Sequence, residues 1–302
     1  AVIVLCAAAS LGDGAALAAA VVFASFVAQT SVSVVPVALA VTGVAVGFGW
    51  ASGRAHSPGV SSLGGRRVLS AALIGLVLWL PPMVEQATAE PGNMTRLLQF
   101  FVSAPSRGQS WRDAVLAWGD VTTALLRPGV ELPWGQAFER RGSWGTTTIA
   151  VAQVALLLPL AWWARRRGQQ ALARLSLLTA LASVVACWSI TRIAGAIGDY
   201  QIFWMSAIGA LNLALVAGTI AGGATADAPS RRRWLLGVMC VLLGLVTAAT
   251  AVRGLAGALA YAVNQRDEEA PRRVVAEATA EYLARERVTR PLFRLNATSW
   301  LQ

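Results

Sequence analysis

The stretch "RRVLSAALIGLVLWLPPMVEQATAEPGN", residues 66–93, decides the fold. Two arginines open it, and an uncharged apolar run from Val68 to Leu80 follows. That run reads as a membrane helix with a basic flank at one end. Pro81 and Pro82 then form a corner that is expected to end the span and fix the chain's exit direction. Beyond the corner come two carboxylates, an amide, a Pro-Gly turn and, from Met94, an amphipathic start. The polar segment is either an ordinary connecting loop or the floor of a site at the membrane surface.

Outside this stretch the composition repeats the message. Of 302 residues, 56% are hydrophobic and 13% are charged, with mean hydropathy +0.58. Soluble domains run at about 25% charged. The apolar residues fall in blocks of about 20, the length that crosses a bilayer core. Candidate spans are 1–10, 15–30, 32–53, 67–82, 145–164, 171–192, 201–222 and 234–253. The fold class expected is an all-α polytopic transmembrane bundle of about seven full spans plus a truncated first one. Ala1, not Met, opens the chain inside an apolar run, so more of the protein is expected to precede it. "LGDG" at 11–14 reads as a tight turn.

All 25 basic residues are arginine, and the formal net charge is +10. In a soluble protein that balance suggests nucleic acid; here topology explains it, and no nucleic-acid partner is expected. The segments 11–14, 54–67, 165–174 and 223–233 hold ten arginines against Asp13 and Asp227, while the rest of the chain holds fifteen against thirteen carboxylates. Short arginine-rich loops stay in the cytoplasm. The loop 83–144 and the tail therefore lie outside, and every span alternates correctly. Within 83–144, Trp111, Trp118, Trp134 and Trp144 and the helical spacing of 94–103 and 110–126 fit helices lying in the interface. The domains expected are a helical membrane domain, 1–262, including that loop, and an amphipathic tail, 263–302.

Cys6, Cys187 and Cys240 all sit in apolar segments, and no metal-ligand spacing is present. With His56 as the single histidine, in a polar loop, a histidine-based metal site or Ser-His-Asp triad is not expected. Arg192 and Arg253 lie near the outer ends of apolar spans. An ionisable group there faces a partner, a cavity or the headgroups, and guanidinium suits a lipid-linked phosphate. Asn93 is expected to cap the helix starting near Met94.

The segment 79–101 resembles a pattern in bacterial integral-membrane glycosyltransferases of the GT-C superfamily. The matching positions are Trp79, Leu80, Pro81, Pro82, Glu85, Gln86, Thr88, Pro91, Gly92, Asn93, Leu97, Phe100 and Phe101. Residues 24–41 are similar to the family's short helix ending in Gln-Thr-His: Gln29 and Thr30 match, and Ser31 stands in place of His. Residues 190–211 are more loosely similar to an arginine-containing turn before a Tyr- and Trp-rich span. Together the three cover about residues 15–222.

The resemblance implies a bacterial plasma-membrane enzyme that moves a sugar from a polyprenyl-phosphate donor to an extracytoplasmic glycan, lipid or protein, with inversion. It implies Glu85 as a catalytic candidate and Gln29, Gln86, Asn93, Arg192 and Arg253 as substrate-binding candidates. The main catalytic carboxylate is expected in a first outer loop that this chain lacks. Glu85 could orient an acceptor, hold the catalytic loop or bind a divalent cation; no metal ligand is assigned. Glu85 and Arg192 are expected to line one outward cavity. The alternatives are a transporter or a membrane scaffold subunit. The spans are nearly free of charge and no repeat is visible, which argues against ion pumping.

Overall fold

A computed structural model describes residues 1–54, 63–103, 108–126, 142–193 and 195–223, together with 277–279, 281–282 and 285. Every regular element among them is helical. The helices are α1 (Val2–Ser10), α2 (Gly14–Thr30), α3 (Val35–Arg54), α4 (Gly65–Thr88), α5 (Asn93–Ser103), α6 (Trp111–Thr122), α7 (Trp144–Arg166), α8 (Gln170–Ile190), α9 (Asp199–Ile202) and α10 (Met205–Gly223). Four stretches are long and apolar enough to cross a membrane: Val32–Ala51, Gly65–Thr88, Trp144–Arg166 and Gln170–Ile190. Gly14–Thr30 and Met205–Thr219 are shorter apolar helices.

Local chemistry sets the helix ends. Asp13 accepts from the N–H groups of Ala15 and Ala16 at 2.9 and 3.0 Å. That satisfies two of the donors α2 leaves open at its start. Before it, Gly12 takes a φ of 97°, which a side chain would resist. Ser143 and Thr146 form a reciprocal capping box on α7. At the far end of α7, Arg165 and Arg166 occupy the last turn, where the helix dipole favours positive charge.

Successive apolar helices run in alternating directions, and their ends gather into two groups. At one end Arg67 Nη1 donates to the carbonyl of Gly12 at 2.8 Å. There too Arg174 donates to the carbonyl of Ser10 and stacks on Phe48, so two arginines close the open end of α1. Arg166 and Arg167 lie over the rings of Trp162 and Trp163. At the other end Ser33 Oγ donates to the carbonyl of Gln201 at 2.9 Å. On the same rim Gln109 donates to the carbonyls of Ile193 and Gly195. We call these the arginine end and the rim.

Two departures from the sequence reading stand out. Helix α4 does not end at the Pro-Pro corner; it runs through Pro81 and Pro82 to Thr88. The expected span 201–222 is split, because Trp204 turns its indole N–H onto the carbonyl of Gln201 at 2.7 Å and separates α9 from α10.

The core is built largely from small residues. Cys6, Ala20, Val41, Ala45, Ala114, Ala150, Leu178, Ala182, Ala186 and Ile190 are buried in one cluster. Without water to drive association, helices in a bilayer gain by close backbone approach over such residues. Packing is uneven: half of the apolar window of α8 is buried, against 6% for α4.

Contacts divide the chain into Ala1–Thr247 and Ala248–Gln302. In the second unit, residues 277–279, 281–282 and 285 are helical and Tyr282 is exposed. The expected span 234–253 and the rest of the tail lie outside the described residues.

Candidate functional site

Four of the candidate residues come together at the rim, around the end of α4. A proline offers no N–H, so Pro82 leaves the carbonyl of Leu78 without its helical donor. Gln29 supplies the donor from α2: its Nε2 donates to that carbonyl at 3.0 Å. In a bilayer such a freed backbone group must find a partner. A second tie runs beside it, from Trp79 Nε1 to Ser25 Oγ at 3.3 Å.

One turn further on, Glu85 and Gln86 reach forward onto the start of α5. The Asn93 N–H donates to both carboxylate oxygens of Glu85, each at 3.1 Å. The Thr95 N–H donates to Gln86 Oε1 at 3.1 Å, and Gln86 Nε2 donates to Thr95 Oγ1 at 2.6 Å. Helix α5 is therefore capped from α4, where the sequence suggested Asn93 as its own cap. A carboxylate at this position also meets the positive end of the α5 dipole. Gly92 makes the fold-back fit: a Cβ there would lie 2.7 Å from the Cα of Gln86. Glu85 and Asn93 are exposed and Gln86 is half-buried.

Arg192 sits in a different neighbourhood. It follows α8, with its guanidinium 5.0 Å from the ring centre of Trp188 and exposed. Its loop is the one held by Gln109, and Gly108 lies so close that a Cβ would come 2.5 Å from the Thr191 carbonyl. A cleft of about 210 Å³ opens here, lined by Gln109, Asp113, Leu116, Ala117, Gly142, Ala196 and Ile197. Neither Glu85 nor Arg192 lines it. Both are at the rim, but the structure joins Glu85 to α5 and Arg192 to the 193–198 loop. Arg253 and the side chain of Asp199 lie outside the described residues. No cluster of His, Cys, Asp and Glu suited to a metal is present among the described residues.

A further polar group, unforeseen from the sequence, lies inside the bundle. Helix α6 crosses the rim ends of α8, α7 and α10 and presses closely on two of them. A Cβ on Gly119 would come 2.6 Å from Thr147 Cα, and one on Gly209 would come 1.9 Å from the Thr122 carbonyl oxygen. Around and beneath it Asp120, Thr122, Thr147, Gln153 and Asn212 are all buried. Among the described residues, Thr122 Oγ1, Thr147 Oγ1, both amide atoms of Gln153 and Asn212 Oδ1 have no hydrogen-bond partner. An unmet buried polar atom costs about 1–3 kcal/mol. Five of them approach the whole net stability of a domain, roughly 5–15 kcal/mol. The signal available in sequence was a lone amide inside each of two apolar runs, "AVAQVALLL" and "GALNLAL".

Comparison with known proteins gives no match to this chain, whether with family models, curated proteins or solved structures.

Proposed function

We propose that the chain is the helical domain of a bacterial plasma-membrane glycosyltransferase. It takes a sugar from a polyprenyl-phosphate donor at the rim and passes it to a glycan, lipid or protein outside the cytoplasm. In this reading α2, α10 and the stretch 234–253 also span the bilayer, α5 and α6 lie at its outer surface, and the arginine end is cytoplasmic.

The observation that carries the reading is the unit around the end of α4. Residues that make the resemblance to GT-C enzymes, Gln29, Trp79, Pro82, Glu85, Gln86 and Gly92, are tied into one network at one end of the bundle. A plain connecting loop does not require a carboxylate and an amide aimed at one helix start. The capping ties α5 to the end of α4, which supports reading α5 as a floor at the surface that orients a lipid-linked substrate for attack.

The chemistry follows from that placement. The acceptor hydroxyl displaces polyprenyl phosphate at the anomeric carbon, and its proton passes to a base. Both oxygens of Glu85 already accept from Asn93, so we assign Glu85 to positioning α5. The resemblance gives the proton to a carboxylate in the loop after the family's first span. Arg192, exposed and stacked on Trp188, suits the leaving phosphate.

Variants of the full-length protein test this with a polyprenyl-phosphate sugar. Glu85→Ala removes the acceptor for the Asn93 N–H and frees the start of α5, so kcat should fall by about tenfold to a hundredfold, whereas Glu85→Gln, which keeps one acceptor, should lose much less. Arg192→Ala should raise the donor KM more than it lowers kcat. Unchanged transfer in both alanine variants would reject the reading.

A further inference from the structure

We propose that Thr122, Thr147, Gln153 and Asn212 form an internal site for a neutral hydroxyl-bearing molecule, roofed by α6 and walled by α7, α8 and α10. Its basis is the interior polar group and not the surface unit, so it stands independently of the sugar-transfer reading.

Depth places these residues at neighbouring levels of the bundle. Helices α7 and α10 start at the rim and α8 ends there. At about 1.5 Å per residue, Gln153, Asn212 and Ser183 all lie roughly 10–14 Å below it. The register of α8 against α10 is fixed directly, because Asn212 Nδ2 donates to Ser183 Oγ at 3.4 Å. Thr147 and Thr122 sit higher, where α6 presses on α7 and α10. The polar atoms thus descend from under the roof into the apolar core. All four residues are more than nine-tenths buried, and each presents at least one polar atom without a partner among the described residues.

The donor set selects the occupant. The Gln153 amide both donates and accepts, Asn212 Oδ1 accepts, and the two threonine hydroxyls do either. Such a set matches a hydroxyl oxygen, which also does both. None of the four carries a positive charge to balance a buried anion, and no group of His, Cys, Asp and Glu suited to a metal cation is present among the described residues. Asp120, buried on the roof helix, further disfavours an anion. A hydroxyl oxygen has two sources here, bound water or a sugar.

The test uses the whole chain in liposomes, with side-chain amides labelled with nitrogen-15. Water-edited solid-state NMR reads how fast polarisation passes from water to each amide. Signals of Gln153 and Asn212 are assigned by their loss in Gln153→Leu and Asn212→Leu. The proposal expects both to build up as fast as the exposed Gln29 amide. Added D-glucose identifies the source: a slowing at Gln153 but not at Gln29 supports a sugar, and no change supports water. A build-up as slow as the backbone amides of Leu157 and Leu178, with and without glucose, would overturn the site. Stability supplies a second reading. Gln153→Leu should lower Tm by a few degrees, because the occupant loses its partner; a rise in Tm would show that the amide was dry and merely unpaired.

Discussion

The helix pair α2–α4 and the group α6–α7–α8–α10 solve opposite problems. On α4 nearly all the apolar surface is uncovered: Leu69, Leu73, Leu76, Val77, Leu80 and Val84 all face outward. Yet the polar side chains at its rim end, Trp79, Glu85 and Gln86, and Gln29 of α2 beside them, each have a named partner. In the other group more of the apolar surface is covered, 39% of the window of α7 and 50% of that of α8, while polar atoms on α6, α7 and α10 lack partners among the described residues. Lipid can cover a leucine but cannot serve a carbonyl or an amide. A helix facing lipid must therefore settle its polar groups within the protein. Interior helices can leave theirs to a small molecule. The difference separates a surface that the membrane completes from an interior that a polar occupant completes.

The sharpest way to break this comparison is to spoil the close contact that closes the interior. Gly209→Val would drive a side chain into the backbone of Thr122. The cost should be on the order of 3 kcal/mol, the upper range for overpacking, read as a fall in Tm and a loss of folded material in detergent. A Tm like that of the parent would show that α6 does not rest on α10.

A smaller effect sharpens the account of α4. Gln29→Leu should cost about 1 kcal/mol by stranding the Leu78 carbonyl. Pro82→Ala returns an N–H to that carbonyl, so Gln29→Leu should then cost nearly nothing. Equal costs in both backgrounds, from a double-mutant cycle on Tm, would remove the link between Gln29 and the proline.

The smallest change should be a gain. Gly43 is exposed on α3, and a methyl group added to its Cα would meet nothing within 4 Å. Gly43→Ala should therefore stabilise by about 0.5–1 kcal/mol through backbone entropy alone. A loss instead would place a protein surface, not lipid, against that face of α3.

Sequence carried much of the helical layout. The reading of 145–164 and 171–192 came within two residues of α7 and α8, because uncharged runs closed by arginines admit few other solutions. The arginine turns at 165–167 and the glycine turn at 11–14 were legible for the same reason. The end of α4 was misread, because a proline pair normally breaks a helix. The compensating donor, Gln29, lies 49 residues away and is visible only in three dimensions. Glu85 and Gln86 were legible as notable residues, but their target was not, since an N-terminal cap supplied from eight or nine residues upstream has no simple local spacing. Gln153 and Asn212 escaped notice because one amide barely alters the hydropathy of a span. Only the packing of α6 over their helices reveals that they are enclosed.

The central claim is that the chain crosses the membrane with the rim and the arginine end on opposite sides. Single cysteines in a cysteine-free background, at Asn93 and Ser143 on the rim and at Arg67 and Gln169 on the arginine end, test it with an impermeant maleimide on intact cells. The account predicts labelling of the two rim positions on intact cells and of the other two only after permeabilisation. Labelling of Gln169 and Asn93 from the same side of an intact membrane would contradict it.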